Sequence, residues 1–145
     1  MTTKKHLLPQ VDRYFKANLH THSTISDGKL TPKEVKEAYK GLGYQILCLT
    51  DHNIIADHSD MNDSDFLMLT GVEINVNAPN KSAVGGQTYH LNLIAKKPDN
   101  LWSPSKIFRS FPAAAEYEDK MQCEEMDLQC NPDSINAMIA KANEK

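Results

Sequence analysis

Apolar and polar positions fall in blocks along this chain, and the blocks predict strands and helices in turn. Tyr14 to His20 reads as a short strand ending in a polar cluster. A helix start follows: Thr31 as a hydroxyl cap, Pro32 at the first helical position and Glu34 closing a capping box. Leu30 and Val35 stand where a hydrophobic staple forms, and Val35, Ala38, Tyr39 and Leu42 recur at helical spacing, which predicts a buried face. Gly41 and Gly43 supply the stop. Gln45 to Thr50 is a near-continuous apolar run, the pattern of a strand covered on both faces in a parallel sheet. Phe66 to Val76 holds a third strand, interrupted by Gly71, and Tyr89 to Ala95 a fourth.

Beyond Lys96 the pattern loosens. Pro98, Pro104 and Pro112 break the stretch into loop with short helical pieces, and Ala113 to Leu128 reads as a charged, exposed helix. Asn131 and Pro132 then open a helix whose apolar stripe is Ile135, Met138, Ile139 and Ala142. The organisation expected is a tail over 1–13 and one domain over 14–145, with a loop-rich insertion over 96–130 and a closing helix over 131–145. Strands alternating with helices and loops place the chain in the α/β class, as a layer or a barrel.

Composition narrows the function classes. At 145 residues and 40% hydrophobic the chain can bury a core, and a net charge of −3 gives no global field to attract nucleic acid. No apolar run approaches a membrane span, and no signal-peptide pattern follows the basic N-terminus, so a cytoplasmic location is expected. Cys48, Cys123 and Cys130 are odd in number and form no CxxC pair, against a disulfide framework or a structural zinc knot. Cys48, inside an apolar run, reads as a plain buried thiol.

The candidate chemistry lies in the histidines and acids. His20 and His22 flank Thr21 after the first strand, and residues two apart on an extended segment point the same way. Asp27-Gly28 follows in a turn, Asp51-His52 comes directly after the second strand, Glu73 lies in the third, and His90 opens the fourth. In parallel α/β folds strand ends line one crevice, so these groups converge there. Taken singly each has an ordinary role, such as a turn aspartate, a helix cap or a core histidine. Taken together they spell a mixed nitrogen and oxygen ligand set suited to zinc, manganese or iron. His6 and His58 are assigned to the tail and to an acidic, polar loop. Lys81, Lys96, Lys97 and Arg109 are possible phosphate contacts, with solvated surface charge the plainer role.

The residues that carry this pattern resemble a known family. Asn18-Leu19-His20-Thr21-His22-Ser23-Thr24-Ile25-Ser26-Asp27-Gly28 with Leu30-Thr31-Pro32, then Leu49-Thr50-Asp51-His52-Asn53, Gly71-Val72-Glu73-Ile74 and Tyr89-His90-Leu91-Asn92, resemble in order the motifs of the PHP (polymerase and histidinol phosphatase) family. The resemblance runs from about Phe15 to Ala95. It implies the N-terminal part of a distorted (β/α)7 TIM-like barrel, and metal-dependent hydrolysis of phosphate esters by an activated water. By motif position, His20 and His22 would hold one divalent ion and share Glu73 with another. Asp27 and His52 would hold a second, and Glu73 and His90 would serve a third. Asp51 would orient ligands. A complete domain would take up to three ions, and its substrate would be a small phosphorylated molecule or a short nucleic acid. Ser26-Asp27-Gly28 looks more like the stand-alone phosphoesterase branch than like histidinol phosphatase.

One departure shapes the expectation. The chain has no histidine after His90, whereas the family places a further histidine and an Asp-x-His pair later in the barrel. Truncation is therefore expected, with an open strand edge able to self-associate. A non-catalytic metal-binding or assembly module is the alternative function.

Overall fold

A computed structural model describes residues 13–77, 88–105, 111 and 114–145. Lys81, Arg109, Pro112 and His6 lie outside the described residues. The main sheet has four strands in the order β1 (Ala17–Asn18), β2 (Ile46–Leu49), β3 (Leu67–Asn77) and β4 (Thr88–Ile94). β1, β2 and β3 are parallel; β4 runs antiparallel to β3. The fold is mixed α/β, with this sheet forming part of a barrel wall.

Helix α1 (Pro32–Gly41) starts as its sequence dictates. The Thr31 side chain accepts from the Glu34 N–H, and the Glu34 carboxylate accepts from the Thr31 N–H at 2.8 Å. Its buried face is narrower than predicted: Val35, Tyr39 and the stem of Lys36 face the sheet, while Ala38 and Leu42 are exposed. Lys36 takes that place because Asp63 meets its ammonium at 2.7 Å, so the stem can lie against apolar surface. Val35 packs with Leu47, Leu49, Phe66 and Met68 as one core cluster.

A second cluster, Ile55, Val72, Ile74, Val76 and Met138, joins β3 to helix α3 (Pro132–Glu144). α3 is capped by Asn131, whose side chain accepts from the Ser134 N–H at 2.9 Å, and Met138 is its fully buried anchor. Of the predicted stripe, Ile139 stays exposed. Between sheet and α3, β5 (Trp102–Ser103) pairs in parallel with β6 (Gln122–Cys123). The helix predicted over Ala113 to Leu128 is only α2 (Ala114–Glu118). Met121, Met126 and Leu128 are drawn onto the second core cluster instead, which a continuous exposed helix would not allow. Among the described residues no helix is long and apolar enough to cross a membrane.

The direction of β4 is the main correction to a purely parallel sheet, and it decides where His90 goes. A parallel β4 would carry its first residues to the end of the sheet opposite His20, His22 and His52, which follow β1 and β2. The antiparallel register instead sets His90 against Asn75 and Asn92 against Glu73. Fewer residues separate Asn77 from Thr88 than the dozen or so a parallel crossover needs.

Candidate metal centre

Side chains alternate across a strand, so Glu73 and Asn75 share one face of β3 while Val72, Ile74 and Val76 take the other. The second set is the core just described; the first points into the site. Cross-strand partners share a face, which adds His90. Gly71, one step earlier on the Glu73 face, has no room for a side chain: a Cβ there would lie 2.4 Å from Cys48 Sγ. Cys48 is the plain buried thiol expected, its pKa pushed up to about 12 by burial.

His20, His22 and Asp27 come from the loop after β1. Gly28 closes that loop by donating to Ser23 O at 2.8 Å, and a Cβ on it would strike the His22 backbone at 2.6 Å. Asp51 fastens the loop from below. Its buried carboxylate accepts from the Ser23 N–H and hydroxyl, both at 2.8 Å, and from the Ser26 N–H and hydroxyl at 3.2 and 2.6 Å. Asp51 thus meets four donors of the segment that runs from His22 to Asp27 and joins none of the ligand clusters among the described residues. His52 follows directly and bridges to Glu73 as the last parallel pairing between the β2 and β3 segments.

Six side chains converge. His20, His22 and Glu73 form one triad, His22, Asp27 and His52 a second, and His52, Glu73 and His90 a third, with the candidate ligand atoms of each triad within 4.8 Å of one another. His22, His52 and Glu73 each belong to two triads. Three imidazoles have Nδ1 engaged: His20 with Thr50 Oγ1 at 2.9 Å, His22 with Asp27 Oδ1 at 2.7 Å, and His52 with Asn75 Oδ1 at 3.1 Å. The His22–His52 and His52–His90 rings meet edge to face, at 4.4 and 5.3 Å between centroids.

The buried atoms at the centre test whether a cation fits. His22 Nε2 and Glu73 Oε2 approach to 2.9 Å, yet neither makes a hydrogen bond. With His22 Nδ1 donating to Asp27, Nε2 presents a lone pair to a carboxylate oxygen, an arrangement that costs free energy unless a positive charge lies between them. The donor set of imidazoles and carboxylates is the one that binds divalent transition metals. Burial acts to raise the Asp27 pKa, but the His22 hydrogen bond and the electrostatics of the neighbouring His22 and His52 imidazoles together outweigh it and hold the carboxyl below its ordinary range.

The sequence did not single out Thr50, Ser23, Ser26 or Asn75 as partners of these groups. Only the register of the sheet brings them near. His58, in its acidic, polar loop, is buried, and burial lowers its pKa. Lys96 and Lys97 follow β4 toward the far end of the sheet, and Lys96 donates to Asn143 O at 3.3 Å, away from the triads.

A family model for the PHP domain matches residues 18–144. The chain belongs to the PHP domain family. The fold of that family is a (β/α)7 TIM-like barrel, in keeping with the mixed α/β wall seen here. Its members are generally metal-dependent phosphoesterases, which supports a hydrolase role of that general kind. A curated relative, the 5'-3' exoribonuclease of Haemophilus influenzae, is 39% identical over 66 residues, covering 43% of this chain and 24% of that protein. The chain therefore spans about a quarter of the length of the relative it matches.

Proposed function

We propose that this chain carries a phosphoesterase metal centre in which His20, His22, Asp27, His52, Glu73 and His90 are the ligands. The observation behind the reading is the convergence of these six groups into three overlapping triads around the unpaired His22 Nε2 and Glu73 Oε2. Up to three divalent ions (manganese, zinc or iron) would be held in a complete domain. Bound there, they would supply positive charge to phosphoryl oxygens and acidify a water. The chain's own part is to hold the ligands. Glu73 lies among four imidazoles, those of His20, His22, His52 and His90, and Asp51 fixes the loop carrying His22 and Asp27 as a positioning residue. The substrate is a phosphate ester, with a nucleotide or short oligonucleotide favoured by the exoribonuclease relative. The reading treats 14–145 as one partial domain behind a tail over 1–13, working in the cytoplasm as the free cysteines favour.

The test is hydrolysis of a generic phosphodiester and a 5'-phosphorylated oligoribonucleotide, with Mn2+ or with chelator. Turnover that needs Mn2+ and disappears in Glu73→Gln is expected. Turnover indifferent to both would contradict the proposal. The second reading is a metal-binding or assembly module without turnover, which the same six groups could also serve. Metal binding without hydrolysis would decide for it. Such a module would associate with a second copy through a strand edge of the barrel wall.

A further inference from the structure

Asn53 is fully buried and holds φ at 54°, a left-handed conformation that asparagine tolerates better than most residues. From this position it makes two bonds to β3 on either side of Ile74. Its N–H donates to Glu73 O at 2.8 Å, and its Oδ1 accepts from the Asn75 N–H at 3.2 Å. β2 has ended at Leu49, so the Asn53 side chain stands in for the strand carbonyl that Asn75 would otherwise lack. Ser105 Oγ donates to the same Oδ1 at 3.0 Å and steadies the amide.

Asn75 passes this order to His52. Two oxygens lie near His52 Nδ1, Asn75 Oδ1 at 3.1 Å and Glu73 Oε2 at 3.0 Å. Only the asparagine is in line for a hydrogen bond, and Glu73 Oε2 is left without one. Both neighbours are acceptors, so Nδ1 carries the hydrogen and Nε2 carries the lone pair. Nε2 lies 3.4 Å from Asp27 Oδ2. A donor bond from the far nitrogen is what fixes the ring of a metal-binding histidine.

We propose that Asn53 and Asn75 form a positioning pair that commits His52 Nδ1–H to Asn75 Oδ1 and turns Nε2 toward Asp27 as the metal-facing atom. The pair needs a residue that tolerates the left-handed backbone and also offers a side-chain carbonyl, a combination glycine cannot supply. The inference rests on the metal centre proposed above, but it concerns side chains whose state can be read without metal.

Long-range 1H–15N NMR of the metal-free chain, above the pH where imidazole protonates, reads the His52 tautomer directly. Mn2+ titration calorimetry on the same samples reads affinity. The wild type is expected to show Nδ1–H. Asn75→Ala should lose that preference and weaken Mn2+ binding by about 10–100-fold. Asn75→Asp keeps an acceptor and should keep the tautomer. Asn53→Gly keeps the backbone but removes Oδ1, and should shift His52 in the same direction as Asn75→Ala, whereas Asn53→Asp should restore it. An Nε2–H tautomer in the wild type, or wild-type affinity in a folded Asn75→Ala chain, overturns the pair and leaves the metal centre standing. A wild type that binds no Mn2+ overturns the centre and the pair together.

Discussion

The end of the sheet where the six imidazole and carboxylate groups converge and the segment after Lys96 are held together by different physics. At the first, the groups behind the site are held by specific polar partners, Asp51 by four donors, Thr50 by His20 and Asn75 by Asn53, while His22 Nε2 and Glu73 Oε2 at its centre stay without a hydrogen bond. In the second, short elements are pinned by apolar contacts from Met121, Met126, Leu128 and Met138, with ion pairs at the surface. A network of directional bonds fixes positions to fractions of an ångström, whereas side-chain packing fixes a layer. A multi-ligand site needs the former, and the latter is sufficient to cover β3 and β4.

The difference can be broken by substitution. The largest effect is expected from Glu73→Gln, which removes the carboxylate shared by two triads. Divalent metal affinity should fall by more than about 100-fold, beyond what loss of an outer partner causes; equilibrium dialysis with metal analysis measures it. Asp51→Ala should follow, stranding the buried Ser23 and Ser26 donors. It is expected to cost about 3 kcal/mol or more in urea denaturation and to weaken metal binding as well, because the loop it holds carries His22 and Asp27. Met138→Ala opens a cavity under α3 and should cost about 2–3 kcal/mol while leaving metal affinity as it was. Equal damage to metal binding from Met138→Ala and Asp51→Ala would erase the contrast between the regions.

The smallest effect is electrostatic. Glu124, half-exposed beside α3, is held down at about 2 by hydrogen bonds from Lys141, Lys145 and Trp102. A carboxyl lowered on folding contributes above its unfolded value of 4.5, and that contribution fades as pH falls toward about 2. The chain has one tryptophan, so Trp102 fluorescence reports the change. A small acid transition between those values, weakened by salt and absent in Glu124→Gln, is expected.

How much of this the sequence carried follows the same division. The start of α1 was legible because capping chemistry is local: Thr31, Pro32 and Glu34 sit within one turn. All six residues of the triads were legible too, because motif spacing gives their residue types and order. The direction of β4 was not read from its own residues, which alternate alike in either orientation; the short connection after Asn77 held the clue. The partners behind the ligands were illegible for a different reason. Asn53 and Asn75 are ordinary polar residues until the register places one beside the other, and nothing local marks Asn53 as left-handed and buried. The burial of His58 and the shortness of α2 likewise depend on what packs against them.

The claim that six imidazole and carboxylate groups hold divalent metal is tested most directly by X-ray absorption at the zinc edge of the Zn2+-loaded chain. The account predicts a shell of nitrogen and oxygen at about 2.0–2.2 Å with no sulfur. A sulfur contribution at about 2.3 Å would move the metal to Cys48, Cys123 or Cys130 and contradict the assignment, as would loading unchanged in Glu73→Gln.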